Sequence, residues 1–240
     1  MKKIANRKSQ IVRRAAFTLI ELLVVISIIG VLAGFTIPVL KTVKAQQYKK
    51  VARGELERIE TALENYKAKY GAYPSGNQHA NSVYNLYTPP MSPSQFSQLY
   101  YELSGVTING NNFVTLDGSS TIATNAVPTA YGVGGFVNCS QGGGEDGSLA
   151  KNFLSGLSSK QIYSVSNNGV ANTTALGTSV GGPDDAYAPL GVYHLNPFRY
   201  VYPGVNNPGG YDLWVQLVIS GKTNLICNWS RQVQINSPLP

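Results

Sequence analysis

Histidine and cysteine are scarce in this chain, two of each in 240 residues, and the histidines, His79 and His194, are isolated. Single scattered ligands do not make the closely spaced pairs of a zinc or iron–sulfur site. Acidic side chains are also few, twelve against nineteen basic ones. No paired carboxylates and no nucleophile beside a base stand out, so the chain is not expected to be an enzyme. Basic residues crowd one end. Six of the nineteen lie in the first sixteen positions, MKKIANRKSQIVRRAA, leaving thirteen against the twelve acids, and beyond Gly71 the balance is five against seven. The net charge of +7 therefore belongs to a leader and not to a nucleic-acid surface, and no nucleic-acid partner is indicated.

Long hydrophobic runs are missing too, with one exception. Residues 17–40, FTLIELLVVISIIGVLAGFTIPVL, carry one charge, Glu21. A helix of that length spans about 36 Å, enough for a bilayer core of roughly 30 Å, so a membrane-spanning helix is expected. The cationic leader holds its start on the cytoplasmic side, which places everything after Leu40 outside the cytoplasm. Two features do not fit a plain anchor. A carboxylate inside an apolar run costs about 2.5–3.5 kcal/mol on insertion scales, so Glu21 needs a partner. Gly30, Gly34 and Pro38 weaken the helix, Pro38 by removing a backbone donor. A secretory signal, moreover, is cut after its apolar run, whereas the small residues here, Ala15 and Ala16, precede it.

The order of basic leader, small residue and FTLIELLVVISIIGVLAG resembles the class III signal of type IV pilins and type II secretion pseudopilins. The resemblance implies cleavage by a prepilin peptidase between Ala16 and Phe17 and N-methylation of Phe17. Glu21, Gly30 and Pro38 match the family's glutamate, glycine and proline, and the resemblance assigns them to filament assembly. One departure is Ala16, where the family has glycine; alanine is the nearest substitute in size, so the cut keeps its position.

Residues 41–70, KTVKAQQYKKVARGELERIETALENYKAKY, contain no proline, and Ala45, Tyr48, Ala52, Leu56, Ile59, Leu63, Tyr66 and Tyr70 recur at steps of three and four. That spacing predicts one helix continuing out of the membrane and packing a sheet, with Arg53 and Glu57, and Glu64 and Lys67, as weak pairs on a solvated face. Gly71 and Pro74 stop it. The run ALENYKAKYGAYP also resembles the end of the pseudopilin long helix.

Residues 75–190 turn to Gly, Ser, Asn and Thr. Apolar spacing suggests short helices over 92–105 and 148–158, alternating runs such as 112–116 suggest one or two strands or a hairpin, and Gly142, Gly143 and Gly144 read as a loop. Near the C-terminus, residues 198–202, 211–219 and 223–229 read as three antiparallel strands, the last two joined at Ser220-Gly221-Lys222. Pro197, Tyr200, Tyr202, Pro203, Gly204, Tyr211, Asp212, Leu213, Asn228 and Trp229 resemble the C-terminal series of the major pseudopilin. In that family a Gly- and Asp-rich loop after Tyr-Asp-Leu holds calcium. This chain has VQLVISGKTNLI there, and Asp212 is the one acid after Asp185, so no calcium site of that kind, and no other cofactor, is expected.

Cys139 and Cys227 both fall in the extracytoplasmic part, where disulfides persist, and a bond between them is expected, with two buried free thiols as the alternative. The expectation is thus an α+β chain: leader 1–16, membrane and assembly helix 17–40, outer half of the long helix 41–74, loop-rich insertion 75–190 and C-terminal antiparallel sheet 191–240. It is read as a bacterial inner-membrane, single-pass subunit of a pseudopilus acting in protein export. Its expected partners are copies of itself, other pseudopilins or minor pilins, the prepilin peptidase and an assembly platform. A type IV pilin is the alternative, and a membrane-anchored binding module a more distant one.

Overall fold

The three-and-four spacing of apolar residues materialises as one face of a long helix, α1 (Leu19–Tyr70), in a computed structural model that describes residues 17–76, 97–140, 149–167, 169–180 and 196–237. The side chains of residues 35–41 and of Asn167 also lie outside the description. The chain divides into two units, Met1–Lys44 and Ala45–Pro240. In the first, α1 runs unbroken through Gly30, Gly34 and Pro38.

In the second unit the stripe is the spine of the core. Ala52, Leu56, Ile59, Leu63 and Tyr66 are buried, and Ala45, Tyr48 and Tyr70 pack half-buried against the same cluster. Burying each large member contributes about 1.5–3 kcal/mol. Gly71, at φ +79°, ends the helix by donating its N–H to Lys67 O (2.8 Å), as the left-handed cap requires.

Glu57, Glu64 and Lys67 are exposed as expected, but several charges of α1 bond to loops and to Tyr73 instead of pairing along the helix. Arg53 donates to the carbonyls of Cys227 (2.6 Å), Ser230 (2.9 Å) and Arg231 (3.3 Å). Arg58 donates to Ser155 O and Gly156 O, and Lys69 to Leu149 O. Glu55 accepts from Thr178 and Ser179. Glu64 accepts from the Tyr73 hydroxyl (2.8 Å), to which Lys67 also donates. An exposed i,i+4 ion pair is worth little, so partners held in place by the fold take these side chains instead.

The C-terminal sheet is the antiparallel meander the sequence predicts, with a fourth strand added. It comprises β7 (Arg199–Val201), β8 (Asp212–Ile219), β9 (Lys222–Cys227) and β10 (Gln234–Ile235), in the order β10-β9-β8-β7. Leu213, Val215, Leu217 and Ile219 alternate into the core that holds α1. On the other face, Val201, Trp214, Leu225 and Cys227 form a second cluster with Trp229 against it.

The region read as loop-rich carries six strands among its described residues. A four-stranded sheet joins β1 (Val106–Asn109), β2 (Asn112–Thr115), β3 (Thr121–Ala123) and β4 (Cys139–Ser140) in the order β3-β2-β1-β4, with β1 and β4 parallel. A hairpin pairs β5 (Ile162–Asn167) with β6 (Val170–Leu176). The helix expected over 92–105 appears as α2 (Leu99–Ser104), residues 92–96 lying outside the description. A short α3 (Val127–Tyr131) follows β3. The helix expected over 148–158 is absent from its described residues, which form turns instead. There Asn138 takes the backbone of Lys151 with both ends of its amide, Asn152 Oδ1 accepts from Leu154 N, and Gly156 sits at φ +77°. Side-chain competition for the backbone has replaced the helical ladder. Residues 142–144, His79 and His194 lie outside the described residues.

A buried polar knot ties these parts together. The Glu102 carboxylate on α2 accepts from the Tyr66 hydroxyl on α1 (2.9 Å) and from the backbone N–H groups of Val137 and Asn138 (3.0 Å each). Asn138 returns a bond to Glu102 O (2.6 Å) and accepts from the Tyr70 hydroxyl (2.6 Å).

The expected disulfide is not formed. Cys139 and Cys227 are both free thiols, the first on β4 beside Val106, the second on β9 beneath Trp214, so they belong to different sheets and different apolar clusters. Burial pushes both thiols up from the ordinary cysteine range, which lowers their thiolate fraction. Alkylation of the native protein is expected to reach Cys139 slowly and Cys227, which is fully buried, only after denaturation. A crosslinked pair on non-reducing peptide mapping would contradict this arrangement.

Candidate functional site

The first turn of α1 is built by a signature visible in Phe17-Thr18-Leu19-Ile20-Glu21. Thr18 and Glu21 form a reciprocal capping box: Glu21 N donates to Thr18 Oγ1 (3.3 Å), and Thr18 N and its hydroxyl donate to Glu21 Oε2 (2.9 and 2.7 Å). Both bonds to the carboxylate fall on Oε2, and the side chain stands exposed. The sequence reading singled out Glu21 and passed over Thr18, although Thr-x-x-Glu before an apolar run is a legible cap. Ser27 turns its hydroxyl back onto Val24 O (2.8 Å), so the helix presents little polar surface between Leu22 and Gly34.

What it does present is hydrocarbon. The eleven aliphatic side chains from Leu19 to Leu32 named Leu, Ile or Val are each at least 46% exposed, and Phe17 is 80% exposed. A helix apolar all round is stable only where something apolar covers it. Covering these chains is worth on the order of 20 kcal/mol. A Cβ placed on Gly30 or Gly34 meets nothing within 4 Å, so both glycines mark open strips where another surface can approach. Ala16 lies outside the described residues, as do the side-chain surroundings of Pro38. Among the described residues no helix is long and apolar enough to cross a membrane.

The second feature singled out in the sequence is the Tyr-Asp-Leu stretch at the head of β8. The cis bond Tyr202–Pro203 opens a turn whose backbone closes through Gly204 N to Gly210 O (2.9 Å). The buried Asp212 carboxylate organises that turn, accepting from Val205 N (2.9 Å), Asn206 N (2.8 Å), Asn206 Nδ2 (3.0 Å) and Asn207 N (3.0 Å). Asn228 clamps the strand's start, accepting from Leu213 N (2.9 Å) and donating to Tyr211 O (2.8 Å). Beside the turn lies a wide-open cleft of about 490 Å³, with Glu60 and Glu64 on its α1 side. Burial pushes the Glu60 carboxyl above the usual range. Among the described residues no three His, Cys, Asp or Glu side chains gather as a metal site would need.

Comparison with known proteins bears directly on the first feature. Residues 11–37 match the family model described as the prokaryotic N-terminal methylation motif, which covers Ala16, Phe17, Glu21 and Gly30. The chain is similar to type II secretion system core protein G of Escherichia coli K12, 33% identical over 106 residues that make up 44% of this chain and 73% of that one. The protein of the same name from Pseudomonas aeruginosa is 33% identical over 86 residues, 36% of this chain and 61% of that one. For the Dickeya chrysanthemi protein the figures are 34% over 86 residues, 36% and 56%. The matched stretch thus spans less than two thirds of the latter two relatives. No solved structure gives a significant match. An N-terminal methylation motif at the head of a long helix, a helix-packed antiparallel sheet and these identities place the chain in one family: it belongs to the type II secretion system core protein G family, the major pseudopilins.

Proposed function

We propose that the mature chain begins at Phe17 and is the structural subunit of a helical pseudopilus that serves protein export. The observation that carries this is the apolar helix: eleven exposed aliphatic side chains around its whole circumference, interrupted by one carboxylate. Before assembly, residues 17–40 rest in the inner membrane and the sheet-bearing unit lies outside the cytoplasm. On extraction, each helix exchanges lipid for the equivalent helices of neighbouring copies, and heterologous packing whose rotation does not close produces a filament. Glu21 offers Oε1 to the Phe17 amine of an adjacent copy, a charge-assisted bond that offsets the desolvation of both groups. Prepilin peptidase, other pseudopilins and an assembly platform are the partners this role requires, and no catalytic function is assigned.

Intact-mass analysis of the membrane-derived protein tests the starting point. The mass of residues 17–240 plus one methyl group is expected. A mass that retains the leader would contradict the proposal.

A further inference from the structure

We infer that the C-terminal sheet of this chain is ordered without a divalent cation, its organising role being taken by the Asp212 carboxylate acting on backbone N–H groups. An ionised carboxylate has about four lone-pair sites. Four donors converge on Asp212: Oδ2 accepts from the N–H groups of Val205 and Asn206 and from the Asn206 amide, and Oδ1 accepts from the N–H of Asn207. A calcium ion needs the same lone pairs, and N–H groups aimed at the carboxylate bring positive partial charge to where the ion would sit. The cage is shaped for this occupant. A Cβ on Gly204 would stand 2.6 Å from Asp212 Oδ1 and 2.9 Å from Asp212 N, so only glycine lets the turn close over the carboxylate.

A calcium-binding loop after Tyr211-Asp212-Leu213 is also precluded by what occupies its place. β8 and β9 pair without a break from Trp214 opposite Cys227 to Ile219 opposite Lys222. Ser220 and Gly221 join them at φ +52° and +71°, the two left-handed residues of the tightest hairpin turn. No carboxylate lies between Leu213 and Trp229. Asn228, which closes the segment, accepts from Leu213 N with its side-chain oxygen. The Tyr211 carbonyl is spent as well, accepting from both Asn207 (3.1 Å) and Asn228 (2.8 Å). The carboxylate of Asp212, the Asn228 side-chain oxygen and the Tyr211 carbonyl are thus engaged with protein donors, and Glu60 and Glu64 across the cleft are two carboxylates where calcium takes about six to eight oxygens.

The consequence for a filament, that subunits remain folded when external calcium falls, rests on the pseudopilin reading; the folding claim does not. The test is thermal melting of the full-length protein in detergent, with excess EDTA and with millimolar calcium, alongside a calorimetric calcium titration. The same midpoint in both buffers and no saturable heat are expected. A midpoint raised by calcium and lowered by EDTA would overturn the inference. Asp212→Asn, whose amide turns a donor toward the N–H cage, is expected to lose several degrees equally in both buffers, or not to fold at all. An unchanged midpoint for that variant would overturn the role given to the carboxylate. A calcium-independent protein that forms no filaments would contradict the pseudopilus and leave this inference standing.

Discussion

Glu21→Ala is expected to fold, insert and be processed as the wild type is, yet to yield no ordered filaments. Removing a lone carboxylate from an apolar helix eases insertion by up to about 3 kcal/mol, so failure to enter the membrane cannot explain a loss of assembly. The capping bonds between Thr18 and Glu21 are lost too, but a frayed first turn costs only about 1 kcal/mol. What weighs more is the unpaired Phe17 amine in an apolar filament core, about 3–5 kcal/mol at each contact between subunits. The penalty recurs along the filament, so it abolishes the polymer while leaving the monomer intact. Membrane fractionation with electron microscopy of sheared material separates the two. Normal filaments from the variant, with no wild-type copy present, would overturn the role of Glu21.

The second large effect belongs to the sheet-bearing unit. Glu102→Ala is expected to destabilise it by about 3–5 kcal/mol, because three buried donors, the Tyr66 hydroxyl and the N–H groups of Val137 and Asn138, lose their acceptor together. A loss that large is a sizeable share of a domain's whole stability. The same residue sets a pH dependence. Burial pushes its carboxyl above the usual glutamate range against the downward pull of those three donors. A folded-state value raised above the unfolded one gives stability that is complete below the ordinary glutamate value. That stability is lost as pH climbs through Glu102's own raised value. Urea unfolding of the wild type should therefore show a falling limb as pH rises from the glutamate range. Glu102→Gln, which does not titrate, should show a shallower one, the raised Glu60 carboxyl supplying what remains. An equal limb in both proteins would assign the effect to other groups.

How much of this was legible in the sequence depended on the range over which each signal acts. The long helix was readable because Ala52, Leu56, Ile59, Leu63 and Tyr66 repeat at the helical period, and all five are buried where that period places them. The C-terminal strands were readable from the β-branched and aromatic content of Asp212–Ile219 and from the Ser-Gly turn after them. In the middle region β2 (Asn112–Thr115) was readable from its alternation, and the other five strands were not. Several are two to four residues long and rich in Thr, Ser and Asn, and the parallel β1–β4 pair joins residues far apart in the chain, Val106 N donating to Asn138 O. The false helix over 148–158 had the right apolar spacing, with Phe153 and Leu154 indeed turned toward the core. Its backbone is claimed by Asn138 and Asn152, which no periodicity registers. Within the candidate site, Glu21 drew notice as a charge in hydrocarbon, whereas Thr18 was missed despite the spacing that betrays a cap. Asp212 was read as a member of the C-terminal series and as a lone acid that cannot hold calcium. Its actual partners are main-chain N–H groups, which a sequence does not display.

The central claim, that this chain polymerises through its N-terminal helix, is tested most directly by a cryo-electron microscopy map of filaments released by shear from cells that express it. The expected map has residues 17–40 of every copy packed at the filament axis, with Glu21 within hydrogen-bond distance of the Phe17 amine of an adjacent copy. A filament whose axis is built from the sheet-bearing units, with the apolar helices splayed outward, would contradict it, as would cells holding processed, stable protein and no filaments at all.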